Sequence, residues 1–97
     1  MLDFLKEGNI KDDTIKYIND NFSNDDIMAL CDNRDECLKI INILKRIGIT
    51  NIDDLLTNEL YIFLKSSNRV YDKLIKYDIV SLVNNVNEDY MAIEDYI

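Results

Sequence analysis

Apolar residues recur along this chain at intervals of three and four rather than two, the spacing of helices that bury one face. Leu2, Phe4 and Leu5 predict a short first helix ending near Gly8, a residue free to take the left-handed conformation that closes helices. Ile15, Ile18 and Phe22 share one face of a second helix, with Asp12 and Asp13 at the positive end of its dipole. Ser23 and Asp26 have the spacing of a capping box and open a short helix with Ile27, Leu30 and Cys31 inward. The clearest helix follows: Asn33 caps it, Glu36 stands at its third position, and Cys37, Ile40, Ile41, Leu44 and Ile47 trace its buried stripe. Gly48 stops it, and Ile49 is placed to fold back on the last turn.

The second half reads the same way. Thr50 with Asp53 opens a helix buried through Leu55 and Leu56, and Thr57 recaps a continuation carrying Leu60, Phe63 and Leu64 that breaks around Ser66, Ser67 and Asn68. Val70, Leu74 and Ile75 follow, then a helix capped by Asp78 with Ile79, Leu82, Val83 and Val86 inward, then a last one opened by Asn87 and carrying Met91. The expectation is an all-α fold, a single domain over residues 1–97 built as a bundle of five to seven short helices. Ile and Tyr are indifferent helix formers, so packing must hold these helices in place. With two extra residues, Ile40, Leu44, Ile47 and Ile49 align on Val70, Leu74, Tyr77 and Ile79, which would make two helix-pair repeats of about 30 residues. A chain this rich in Asp and Ile also produces such a register by coincidence.

Composition narrows the class. Ninety-seven residues leave room for one domain with a thin core and exclude a multi-domain enzyme. The balance of 47% hydrophobic and 31% charged residues is that of a globular chain, although a net charge of −8 repels itself. Fifteen Ile, fourteen Asp, twelve Asn, eight Lys and six Tyr have A/T-rich codons, which points to a low-GC genome such as a phage, a large DNA virus or a low-GC bacterium. Cys31 and Cys37 are too few for a disulfide framework and fall at apolar positions, so both read as reduced core residues. No apolar run approaches the roughly 20 residues that span a bilayer, and Asp3 and Glu7 stand where a signal peptide would be basic and then apolar. A cytoplasmic protein without membrane contact is expected.

Charge changes the picture further, because it is segregated. Residues 12–36 carry eight acids against two bases, residues 37–76 four against seven, and residues 77–97 five against none. Helix dipoles account for part of this, since acids favour first turns and bases last turns. The sharper reading makes the acidic face a docking surface for a larger protein with a basic surface. Its candidates are Asp12, Asp13, Asp20, Asp25, Asp26, Asp32, Asp35 and Glu36, joined by the repeated tail Glu88, Asp89, Tyr90 and Glu94, Asp95, Tyr96. Rigid carboxylates of this kind can also imitate the phosphate array of nucleic acid, as small acidic phage inhibitors do. Direct nucleic-acid binding is the less favoured alternative, because overall repulsion opposes counterion release; it would use Lys45, Arg46, Lys65, Arg69 and Lys73. A homo-oligomeric structural subunit is a third reading, since a thin core leaves aliphatic surface for another chain to cover.

Leu44-Lys45-Arg46-Ile47-Gly48-Ile49-Thr50-Asn51-Ile52-Asp53-Asp54-Leu55-Leu56 resembles the opening helices of the C-terminal domain of the bacterial RNA polymerase alpha subunit and, more loosely, other helix-hairpin-helix proteins. In that family the next hairpin carries glycines whose backbone approaches DNA phosphate. Here that place reads Ser66-Ser67-Asn68-Arg69, so the phosphate-binding element does not carry over, and the likeness stays a local phrase of about thirteen to sixteen residues.

The remaining chemistry argues against an enzyme. The chain has no His for proton transfer near neutral pH or to serve a nucleophilic cysteine, and neither a phosphate-binding nor a dinucleotide glycine motif. Adjacent acids such as Asp25-Asp26 or Asp53-Asp54 diverge by about 100° on a helix and do not converge on one ion. Two cysteines cannot complete a zinc site. No catalytic residue, metal or cofactor is expected; the sequence describes a small acidic binding factor, an inhibitor or adaptor of viral or phage type.

Overall fold

In a computed structural model describing all residues 1–97, the chain is entirely helical. Six α-helices, α1 (Asp12–Asn21), α2 (Asn24–Asp32), α3 (Arg34–Ile47), α4 (Ile52–Asn58), α5 (Ser67–Leu74) and α6 (Ile79–Glu88), alternate with three 3-10 helices, η1 (Asp3–Gly8), η2 (Leu60–Leu64) and η3 (Tyr90–Asp95). The all-α class stands, while the expected five to seven helices becomes nine helical elements because the chain tightens into 3-10 turns at three places. Helix α3 is the axis: η1, η2, α2, α4 and α5 all pack on it, while α6 carries η3 and α1 leans on α4 and η1. One cluster of 22 buried apolar residues runs from Leu2 to Ile93, with Phe63 its largest fully buried side chain. The radius of gyration, 12.7 Å, matches the roughly 12.5 Å of a folded chain this long.

The predicted stripe of α3 is buried from Cys37 to Leu44, and Ile47 lies half-buried at its end. Gly48, at φ 112°, closes α3 as expected: its N–H bonds the Lys45 carbonyl and the Ile49 N–H reaches back to Leu44. The first turn ends in the same way, but one residue later than Gly8. Asn9 takes the left-handed conformation at φ 60°, and Asn9 and Ile10 donate to Lys6 and Leu5. Gly8 instead lies flat on α3, where a Cβ would meet the Ile41 side chain at 3.1 Å.

Several predicted caps bind elsewhere. Ser23 does cap α2, accepting from the Asp26 N–H, and Ser66, read from the sequence only as part of a break, caps α5 by accepting from the Arg69 N–H. Asp53, however, reaches across to the start of α1, accepting from the Lys11 N–H at 3.0 Å and the Thr14 hydroxyl at 2.7 Å. Glu36 serves the start of α5, accepting from the Ser67 N–H and hydroxyl. Asn33 donates to the Phe63 and Lys65 carbonyls. Asn87 lies inside α6 rather than opening a helix; its Oδ1 accepts from the Thr50 N–H and its Nδ2 donates to Gly48. Thr57 back-bonds to Asp53 and Asp54 and recaps nothing. The polar residues at one helix end thus staple a different helix, which fixes the relative placement of elements too short to be stable alone.

Other departures concern burial. Ile75, predicted inward, is 55% exposed, and Cys31 is half-buried with its thiol donating to the Met1 carbonyl. In the last turn the buried residue is Ile93, while Met91 faces out. The two proposed helix pairs differ in detail, because α3 has 14 residues and a left-handed ending whereas α5 has eight and ends right-handed at Ile75.

Candidate functional site

Helices α1 and α2 carry six of the twelve predicted acidic residues, and the structure divides the set into groups. Asp12 and Asp20 flank one hollow and are partly neutralised by Lys6 at 4.0 Å and Lys16 at 2.8 Å. The bond to Asp20 raises the Lys16 ammonium above its ordinary value. Asp13 lines a second hollow with Asp53, Asp54 and Tyr17. Asp25, Asp26, Asp32 and Asp35 are exposed and have no cation within 4 Å. Glu36 is different from the rest: its carboxylate is committed to Ser67 and lies 3.4 Å from Lys39, and the Ser67 N–H above all holds it below the usual carboxylate range. It supports α5 from within, and the N-terminus of α5 is filled by this internal anion.

An apolar element missed by the sequence reading adjoins the free acids. Met28 on α2 is 53% exposed and, with Met1 and Ile27, lines an open hollow of about 330 Å³. Asp25, Met28 and Asp32 stand at i, i+3 and i+7, so one face of α2 presents a flexible thioether between two unpaired carboxylates.

The C-terminal candidates are turned partly into the fold. Tyr90 and Tyr96 pack against the core, and the Tyr96 hydroxyl accepts from Asn85 Nδ2 at 2.8 Å while its ring meets Tyr77 edge-on at 4.9 Å. Asp89 caps η3 through the Met91 N–H, and Glu88 is exposed at the end of α6. Glu94 and Asp95 share a hollow of about 230 Å³ with Lys73 of α5 and Lys76 just beyond it.

Three of the five predicted cations come together. Lys65, Arg69 and Lys73 surround one hollow of about 310 Å³ with Asp72. Lys45 is elsewhere, its ammonium donating to the Gly8 carbonyl beneath η1, and Arg46 is exposed near the end of α3.

Sequence reasoning also passed over Glu59. It falls in step with Ile52, Leu55, Leu56 and Phe63, a buried stripe, and that carboxylate on an apolar register was the available signal. It is 6% exposed at the α4–η2 junction and faces Glu94 of η3; burial first, and Glu94 second, raise its carboxyl to about 7. Tyr61 is raised by its own burial and by both carboxylates. Cys37 is pushed up to about 12 by burial, which keeps it a thiol. No group of three or more Cys, Asp or Glu side chains is arranged to hold a metal ion, and no helix is long and apolar enough to cross a membrane.

Comparison of the chain with protein-family models, curated proteins and solved structures returns no match.

Proposed function

We propose that this protein is a small non-enzymatic binding factor that docks the exposed face of α2, with the acidic residues around it, onto a basic surface of a larger protein. The observation that carries this reading is the Asp25–Met28–Asp32 face: two carboxylates without internal partners flank an exposed apolar side chain. Carboxylates give on-rate and partner selection, and a desolvated apolar centre gives residence time. Asp26 and Asp35 extend the same field, whereas Glu36, committed to α5, contributes to the fold and not to docking. Inhibition or recruitment by surface occupation is the corresponding mechanism, in the manner of a viral or phage factor acting inside the host cell.

The test is recovery of bound protein from host lysate by tagged wild-type chain and by the Asp25→Lys/Asp26→Lys and Met28→Ser variants, with and without nuclease. A stoichiometric protein partner that survives nuclease, weakens with salt and is lost with both variants supports the reading. Capture equal for all three chains overturns it.

Convergence of Lys65, Arg69 and Lys73 on one hollow favours a second reading, a nucleic-acid-associated module. Binding to a labelled single strand that falls with added salt and with Lys65→Glu/Arg69→Glu would support it; no binding at low salt would exclude it.

A further inference from the structure

We propose that Tyr61 is a base-stacking platform beside the hollow of Lys65, Arg69 and Lys73, so that η2 and α5 together bind a short stretch of single-stranded nucleic acid, one base on the ring and the neighbouring phosphates on the cations. The platform rests on the nucleic-acid reading of the cation hollow and narrows its ligand to single strands. Ile62 and Phe63 are fully buried, which leaves Tyr61 on the outer side of the turn, 39% exposed. The Lys65 ammonium stands 5.9 Å from the centre of its ring, at the outer limit of a cation–π contact, so the ring is marked by a positive charge without being covered by it. Lys65, Arg69 and Lys73 surround a hollow of about 310 Å³ whose one acidic wall is Asp72. None of the three has a carboxylate within 4 Å, in contrast to Lys6, Lys16 and Lys39. Arg69 and Lys73 stand one turn apart on α5, about 6 Å along its axis, which makes the positive charge a short row and not a point.

Ring and cations sit on a backbone that is fixed before any ligand arrives. The Lys65 N–H donates to the Ile62 carbonyl at 3.4 Å, and the Lys65 and Phe63 carbonyls accept from Asn33 Nδ2 at 3.1 and 2.8 Å. Ser66 accepts from the Arg69 N–H at 3.3 Å, and Glu36 holds the next residue, Ser67. Little ordering entropy is therefore lost on binding. An aromatic ring stacks only on a base whose face is free, which a duplex withholds, and a ligand made of phosphate alone would have no use for the ring. The net charge of −8 does not cancel this local field, because at physiological salt exposed charges farther away than about 8 Å are largely screened. Lys73 also borders the hollow of Glu94 and Asp95, so Lys65 and Arg69 carry the larger share of the phosphate contact.

Fluorescence anisotropy of a labelled oligothymidylate strand, titrated with the whole chain over a range of salt concentrations, tests the platform. Wild type binds with a log–log salt slope of about −2, the counterion release of three phosphate contacts on a single strand. Tyr61→Leu lowers affinity by about 5- to 150-fold and leaves that slope unchanged, while Tyr61→Phe keeps wild-type affinity. An abasic strand of equal length binds wild type as weakly as the base-bearing strand binds Tyr61→Leu. Lys65→Gln/Arg69→Gln instead flattens the slope by about 1.4. Equal affinity of wild type for the base-bearing and abasic strands, or Tyr61→Leu binding as wild type does, overturns the platform and leaves the cation reading standing. No binding of either strand at low salt overturns both. Should Tyr61→Leu not fold, the abasic comparison on the wild-type chain decides alone.

Discussion

Replacing Asp53 by alanine tests whether helices here are capped by their neighbours. Asp53 Oδ2 accepts from the Lys11 N–H at 3.0 Å and from the Thr14 hydroxyl at 2.7 Å, so one carboxylate closes the first turn of α1 from α4. An N-cap is worth about 1 kcal/mol and a second hydrogen bond to a charged acceptor about 1.5 kcal/mol, reduced where water can replace the lost partner, as it can here. The expected loss is about 1.5–2 kcal/mol, which in a chain of this size lowers Tm by about 6–15 °C. Urea and thermal unfolding followed by circular dichroism at 222 nm measure it. A double-mutant cycle then assigns the cause: Thr14→Val should couple to Asp53→Ala by about 1 kcal/mol, because the two share a bond. Thr50→Ala should couple far less, because the Thr50 hydroxyl and N–H bond Asn87 Oδ1 and not Asp53. Additivity of Thr14 with Asp53, together with coupling of Thr50 to Asp53, would refute the cross-helix cap and restore the local capping box.

Gly48→Ala forces a Cβ into a φ of 112° and to 3.3 Å from Val83 Cγ1, and should cost about 1–2 kcal/mol in chemical unfolding. Leu44→Ala empties a fully buried site on the central helix and should cost about 2–5 kcal/mol by the same assay. The Glu36 carboxyl is held below its ordinary value of 4.5, so its contribution is present above that pH and is lost as pH falls through the lowered value; Glu36→Gln should flatten the acid limb of Tm against pH. Cys37, buried with its thiol pushed up to about 12, should resist alkylation at pH 8 until the domain unfolds, and Cys31, half-buried, should react first in timed labelling with mass spectrometry.

Much of the candidate site was legible in one dimension. The unpaired acids of α2 are visible as a run of Asp beside a Ser cap, and the cations of α5 as a basic middle segment. What the one-dimensional pattern missed was exposure of particular apolar residues. Ile75 follows Val70 and Leu74 in an apolar run and Met28 falls between Asp25 and Asp32 on a polar face, and each stands outside, because the short elements packed around α3 leave faces that no other helix reaches. Glu59 was missed for the opposite reason: a charged residue reads as surface unless its register is weighed against its neighbours.

The sequence by itself determined the all-α class, the central helix with its buried stripe, and the Gly48 ending, because each depends on contacts within one or two turns of the chain. Only the tertiary structure decided which side chain satisfies which helix end. Asp53, Glu36 and Asn87 have the composition and spacing of local caps, but their hydrogen bonds go to residues about 30 to 40 positions away. A capping side chain needs only an unsatisfied backbone group within reach, and in short packed helices the nearest such group belongs to a neighbour as readily as to its own helix.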